Sequence, residues 1–362
     1  MTLSVRLETL RLPLRDPFVI ARASHGEGRR VTTVIAELRD EADDPAGPVG
    51  LGEGYPDSYY GETPATMTAV APLLLEALAP LADGLRGPLP EARAALDAAG
   101  GLMAAAIGHH GAAKCAIDIA LHDLAGKRLG LPVRELLDLP GEIPPTDFTL
   151  GIDVPAVVAQ RARRAADFPA LKIKLGGPAD VETLEAVRAV FAGPIRVDAN
   201  TGWTPEGALA LLPDLERLGV ELIEQPFPAR RLDQLRELQR RSALPLVADE
   251  SAVTIEDLDA LVGVVAGVNV KLAKCGGIGP ARRMLEHARA LGFRTFLGCM
   301  EETSIGIAAS AAVAPLADWV DLDGCLLLAD DPVDGLELGP DKRWRLSAAP
   351  GLGLSRRLGS AR

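Results

Sequence analysis

Aromatic residues are scarce in this chain, with three Trp, three Tyr and seven Phe among 362 residues. The core must therefore be built from Ala, Leu and Val, and 37 Gly with 28 Pro point to many tight connections. Cysteine is also rare. Cys115, Cys275, Cys299 and Cys325 show no CxxC spacing and lie in apolar stretches. That excludes a disulfide scaffold and predicts buried, reduced thiols in a cytoplasmic protein. Basic charge is in deficit: 38 Lys and Arg against 50 Asp and Glu leave a net charge of -12, which would repel a phosphate backbone. Nucleic acid is not expected as a partner. No run of about 18 uncharged apolar residues occurs, because His109, His110 and Lys114 interrupt the Ala-rich stretch after 103. The opening MTLSVRLETLRLPLRDPF lacks the basic-then-apolar layout of a signal peptide, so neither export nor a membrane span is expected.

What is present is a folded composition, 48% hydrophobic and 24% charged, in a chain long enough for about two domains. From residue 147 a repeat emerges. The β-rich runs are FTLG (148–151), LKIKL (171–175), IRVDAN (195–200), ELIEQP (221–226), LVADES (246–251), VNVKLA (268–273), FRTFLG (293–298) and WVDLDG (319–324). With Gly151, Lys174, Asp198, Glu224, Asp249, Lys271, Gly298 and Asp323 as strand ends, the spacing stays between 22 and 27 residues, one βα unit each. Intervening segments such as VETLEAVRAVF and GPARRMLEHARALG carry apolar residues at helical spacing. The pattern predicts an α/β protein with a (β/α)8-type TIM-like barrel. An open doubly wound sheet would more often show a glycine-rich fingerprint after its first strand, and LGIDVPA is not one. Residues 1–130 lack this period and read as an α+β domain, residues 131–324 hold the barrel, and 325–362 is a tail expected to pack back on the first domain.

Strand parity then puts charges where a core should be. In LKIKL, Leu171, Ile173 and Leu175 face one way and Lys172 and Lys174 the other, into the barrel. The same parity sets Asp198 beside Arg196 and Asn200, Lys271 beside Asn269, and Asp321 beside Asp323. Any one such residue could be solvated at a loop; the set must be mutually compensated or bound to an ion. Asp198, Glu224 and Asp249 end three consecutive strands and would repel one another without a hard cation. Oxygen-only ligands favour Mg2+ over Zn2+. Lys172 and Lys174 flank that point on one side and Lys271 on the other, and desolvation beside a cation predicts lowered lysine pKa values, suited to general bases. A substrate carboxylate on the metal could lose its α-proton to one lysine and regain a proton from the other.

These motifs, KIK at 172–174, VDANTGW at 197–203, IEQP at 223–226, ADES at 248–251 and VKLAKCGGI at 270–278, resemble the enolase superfamily, in its muconate-lactonizing subgroup. Further segments, PFVIAR at 17–22, GEGYPDSYYGET at 52–63, GCMEETSIG at 298–306 and DLDG at 321–324, are most similar to dipeptide epimerases of the L-Ala-D/L-Glu type. The resemblance implies a modified (β/α)7β barrel with an N-terminal capping domain. It further implies Mg2+ on Asp198, Glu224 and Asp249, and Lys174 and Lys271 as the acid/base pair. Lys172 would orient the carboxylate and tune Lys174. Asp321 and Asp323 would take the dipeptide ammonium, and Arg22 on a capping loop would meet a distal acidic side chain. Glu301 and Glu302 depart from the family pattern, which sets the acidity of that side chain against them. Lys274 competes with Lys271 but lies outside the strand parity.

The reaction implied is epimerisation at the α-carbon of the C-terminal residue of a dipeptide. An o-succinylbenzoate synthase, an N-acylamino acid racemase or a muconate cycloisomerase would share the chemistry. DLDG discriminates against them, because their substrates carry no free ammonium. A Schiff-base aldolase would leave the three acids without purpose, and a catalytically dead barrel would not keep the full set. His109, His110 and His122 lack ligand spacing and read as helix-entry and packing residues. His25 is a further candidate for substrate contact, and Cys299 reads as core. The sequence leaves the oligomeric state open, with a homo-oligomer expected.

Overall fold

Alternation in the N-terminal segment produces two long antiparallel strands, β1 (Leu3–Pro13) and β2 (Arg30–Asp40), paired from Leu3↔Asp40 to Pro13↔Arg30. The computed structural model describes residues 3–22 and 29–357. A third strand, β3 (Gly50–Gly54), pairs with β2, and the helix Gly111–Leu129 lies directly on it. Glycine at every second position of β3 makes that approach possible. A Cβ at Gly50, Gly52 or Gly54 would sit 2.1, 1.9 or 2.1 Å from the carbonyl oxygens of Ala120, Ala116 and Ala112. The helices Pro64–Leu78 and Leu89–Ala106 complete this cap around Val34, Leu38, Met67, Leu74 and Met103. By length and composition the helical stretch Pro64–Arg86 is apolar enough to cross a membrane, with mean hydropathy 1.5. In the fold, Met67, Ala71, Leu74 and Leu78 on that stretch are buried.

The repeat in the second half forms one parallel sheet of eight strands, adjacent in chain order. These are β4 (Phe148–Leu150), β5 (Leu171–Lys174), β6 (Ile195–Asp198), β7 (Val220–Glu224), β8 (Leu246–Ala248), β9 (Gly267–Val270), β10 (Arg294–Gly298) and β11 (Trp319–Asp321). Backbone and side-chain bonds join the two ends: Asp147 N donates to Val320 O at 3.0 Å, and Leu322 N to Thr146 Oγ1 at 2.8 Å. Helices such as Pro205–Arg217 and Ile278–Ala290 pack their apolar faces on the outside, giving a TIM-like barrel with a capping domain.

Inside the barrel, Leu222, Val247, Phe296 and Trp319 form a small apolar floor. Arg196 lies over Phe296 and is neutralised by Asp147 at 2.9 Å and Glu221 at 2.8 Å. Above that layer lie the buried charges of Lys172, Asp198, Glu224 and Asp321. After Asp321 the chain returns to the cap: Ala329 N donates to Pro13 O at 2.8 Å, and Arg356 pairs with Glu8 and Glu37.

Candidate active site

The register of the barrel strands lines the charged residues up in rows. Lys174 pairs with Asp198 across β5 and β6, and Asp198 with Glu224 across β6 and β7. Asp249 follows β8 directly. Carboxylate oxygens of Asp198, Glu224 and Asp249, all buried, lie within 4.8 Å of one another. Burial, and then the charge of Asp198, pushes Glu224 up to about 7. Burial also works against ionised Asp198, but Lys174 and Lys172 outweigh it and hold that carboxyl down at about 2. Glu224 Oε1 accepts from Asn269 Nδ2 at 2.9 Å; Oε2 lies 2.8 Å from Lys172 Nζ, off the hydrogen-bond direction. Three converging carboxylates, one strained toward its neutral form by the others, fit a hard divalent cation.

The backbone behind this triad is itself strained. Asn200, Thr201 and Gln225 take φ values of 41°, 68° and 34°, in the left-handed region that side chains other than glycine seldom adopt. Gln225 holds the turns in place: its Oε1 accepts from Asp249 N and Ser251 N, and its Nε2 donates to Phe227 O and Ser251 Oγ.

Lysines approach from both sides. Lys174 Nζ donates to Asp198 Oδ2 at 2.7 Å, and Lys271, four strands around the barrel, donates to Asp249 Oδ2 at 2.9 Å. Lys172 sits deeper, 3.0 Å from Asp321 and 3.3 Å from Asp198. The expected lowering of lysine pKa values rests on the charge of a cation beside them; from the protein's own groups alone, Lys172 and Lys271 shift upward. Burial opposes their charged forms, but Glu224, Asp321 and Asp198 around Lys172, and Asp249 beside Lys271, outweigh it and raise both. Strand parity alone does not count the carboxylates facing each ammonium. Lys274 is pushed down by burial, and it lies in the short helix Leu272–Cys275 rather than in a loop. Its Nζ donates to Asp249 Oδ1, Asp249 O, Ala252 O and Asn269 O, beneath the acid rather than above it.

Asp321 is not short of a cation, as its neighbours in sequence suggest, because Lys172 arrives from the second strand. Asp321 Oδ1 also accepts from Thr149 Oγ1 at 2.9 Å, and Asp323 Oδ2 accepts from Thr149 N at 2.6 Å. Burial and then the charge of Asp321 push Asp323 well up, against the weaker pull of Lys172 and Lys174, and among the described residues no ion pair is made to Asp323.

A cavity of about 740 Å3 lies between cap and barrel, reached by Lys174, Lys271, Asp321 and Asp323 from below and by Arg22, Tyr55 and Tyr59 from above. Arg22 stacks on Tyr59 at 4.2 Å, donates to Glu250 and lies 3.6 Å from Asp57. Glu301 lines the cavity, whereas Glu302 is buried next to Glu53 with its Oε2 unbonded. Cys299 lines it too, its thiol pushed well up by burial and then by Asp323. His122 Nδ1 meets Asp118 O at 2.8 Å inside the cap helix, and His110 stands at that helix's N-terminal cap. His25 lies outside the described residues. The glycines of KCGGIG turn tightly against the cap, where a Cβ at Gly277 would come within 2.4 Å of the Asp118 carboxylate.

Residues 3–138 match the family described as mandelate racemase / muconate lactonizing enzyme, N-terminal domain, and residues 156–357 match enolase C-terminal domain-like. An L-Ala-D/L-Glu epimerase of Bacteroides thetaiotaomicron is 44% identical over 246 residues, which span 67% of this chain and 64% of that protein. An L-Lys-D/L-Arg epimerase of Methylococcus capsulatus is 37% identical over 97% of this chain and 98% of its own. Among solved structures, a dipeptide epimerase of Enterococcus faecalis V583, complexed with Mg and L-Leu-L-Tyr, superposes with a TM-score of 0.86 at 33% identity, covering 98% of this chain and 100% of that one.

Proposed function

The chain belongs to the enolase superfamily, in its mandelate racemase / muconate lactonizing enzyme family, and from that premise we propose that it is a Mg2+-dependent dipeptide epimerase. The observation that carries this reading is the joint placement of three converging buried acids with two lysines that bond to them and that, with the carboxyls of Asp321 and Asp323, line the adjoining cavity from opposite walls. Asp198, Glu224 and Asp249 would hold the ion. Bound there, Mg2+ supplies positive charge that offsets the three carboxylates and favours negative charge on the substrate carboxylate as the α-proton leaves.

Lys174 removes the α-proton of one epimer from one side, and Lys271 delivers a proton to the other side; the reverse reaction exchanges their roles. Two bases facing each other across one carbon give inversion. Lys172 lies under Lys174 and Asp321, where its charge orients the carboxylate end of the substrate. Asp323, with Asp321, accepts the ammonium of the N-terminal residue through charge-assisted hydrogen bonds. Arg22 faces the side chain of the reacting residue. Because Glu250 and Asp57 already engage it and Glu301 stands on the same cavity, an acidic side chain must compete there with resident carboxylates.

The test is a panel of L-Ala dipeptides with C-terminal Glu, Lys or Leu against N-acetyl and N-succinyl forms of the same amino acids, read by chiral chromatography. Free dipeptides should be epimerised at least roughly 100-fold faster in kcat/KM, about 2.7 kcal/mol of transition-state binding. N-acyl amino acids turned over as fast as any dipeptide would instead favour an N-acylamino acid racemase.

A further inference from the structure

Behind the wall that carries Asp321 and Asp323 lies a second cavity, of about 200 Å3. It is formed by the segment from Arg15 to Phe18, the first barrel strand, the helix Pro155–Arg164 and Leu326. Its sides are apolar: Phe148 and Phe168 meet with ring centroids 5.0 Å apart, and Phe18 and Leu326 close the space around them. Arg161, a residue 7% exposed, is the buried cation of this lining. Its Nη2 donates to Asp153 at 2.9 Å, but Nε and Nη1 are buried and make no hydrogen bond, the nearest carboxylate, Asp16, standing 3.8 Å from Nε.

Idle donors on a buried cation carry a desolvation cost that an incoming acceptor would remove. The local charge allows one. Among the described residues, the acids that Arg15, Arg161 and Arg164 face are Asp16 and Asp153, with Asp16 shared between Arg161 and Arg164. One positive charge is left over. A planar guanidinium with free N–H groups on two nitrogens suits a carboxylate, and the surrounding rings suit a flat apolar body. An apolar cavity of about 150 Å3 is enough for a benzene ring, so this one has room for a ring with a short acidic arm.

We propose that this cavity is a second ligand site, taking a small aromatic carboxylate whose acid group engages Arg161 and whose ring packs among Phe18, Phe148 and Phe168. The site is separate from the reacting centre but adjoins it. Thr149, Phe18 and Leu327 line both cavities, and Thr149 is the residue that donates to Asp321 and Asp323.

The probe is 4-fluorophenylacetate, titrated by 19F NMR into the full chain with Mg2+ and a saturating dipeptide. Saturable binding that survives the dipeptide is expected. Arg161→Gln should weaken it roughly tenfold or more, the usual consequence of losing a charge-assisted contact. Arg161 also holds Asp153, so two variants at less buried positions accompany it. Arg164→Glu, at a mostly exposed side chain, reverses the charge at the mouth, and Leu326→Trp, at a half-buried one, fills the ring space. Both should weaken the probe by a similar factor. No saturable binding below about 10 mM, displacement by the dipeptide, or equal affinity in all three variants would overturn the proposal.

Discussion

Asp321 and Asp323 share a strand end but not an environment, and their substitutions should separate them. Asp323→Asn removes a carboxyl that has no cation of its own. It should cost roughly 100-fold in kcat/KM on a free dipeptide and little on its N-acetyl form. Asp321→Asn also releases Lys172, so both substrates should suffer; equal losses in the two variants on both substrates would contradict the division of roles. The acids and lysines of the site were legible as individual letters, because a charged residue at the end of a barrel strand points to the mouth where such folds do their chemistry. The contacts of Lys274, Gln225 and Asn269 were not. Lys274 falls outside strand parity, yet four acceptor oxygens surround its ammonium. Gln225 acts through backbone amides that only the folded turns bring together.

At the scale of elements, the βα period was readable because each strand is buried on both faces and bounded by helical segments. The packing of the cap was not. In GLGEG the alternate glycines of β3 show their purpose only when the helix Gly111–Leu129 lies on them. Gly52→Val places a branched side chain where even a Cβ would be 1.9 Å from Ala116 O. It should lower the thermal midpoint by the equivalent of about 1–3 kcal/mol or more, and an unchanged midpoint would contradict the close approach. The end of β2 gives a pH-dependent counterpart. Burial opposes ionised Asp40, but Arg86 and Arg128 outweigh it and lower the carboxyl from 3.8 to about 2. A depressed folded value means stability that is complete above the unfolded pKa and fades as pH falls through the folded one. Asp40→Asn should therefore lose about 2 kcal/mol at pH 7, about 0.4 kcal/mol at pH 2 and nothing well below it. A difference in unfolding free energy that does not change with pH would reject this linkage.

Over the whole molecule, acids of the cap hold the barrel's helices by their N-termini. Glu53 accepts from Thr303 N and Gly306 N, and Asp118 from Ile278 N and Gly279 N. The cap thus roofs a cavity that adjoins the three-acid cluster, and a bound ion should stabilise the assembly as well as activate it. Exhaustive chelation should abolish turnover and lower the thermal midpoint, with both restored by Mg2+; full activity in metal-free protein would remove the metal from the account. Solvent exchange reads the two lysines on opposite sides of the barrel separately. In D2O with Mg2+, the α-proton of the C-terminal residue is followed by 1H NMR for each epimer of one dipeptide with Lys174→Ala and Lys271→Ala. Neither variant should epimerise, and each should wash out the α-proton of one epimer only, the opposite one in each case. Exchange of the same epimer by both variants, or of both epimers by either, would contradict a base on each face.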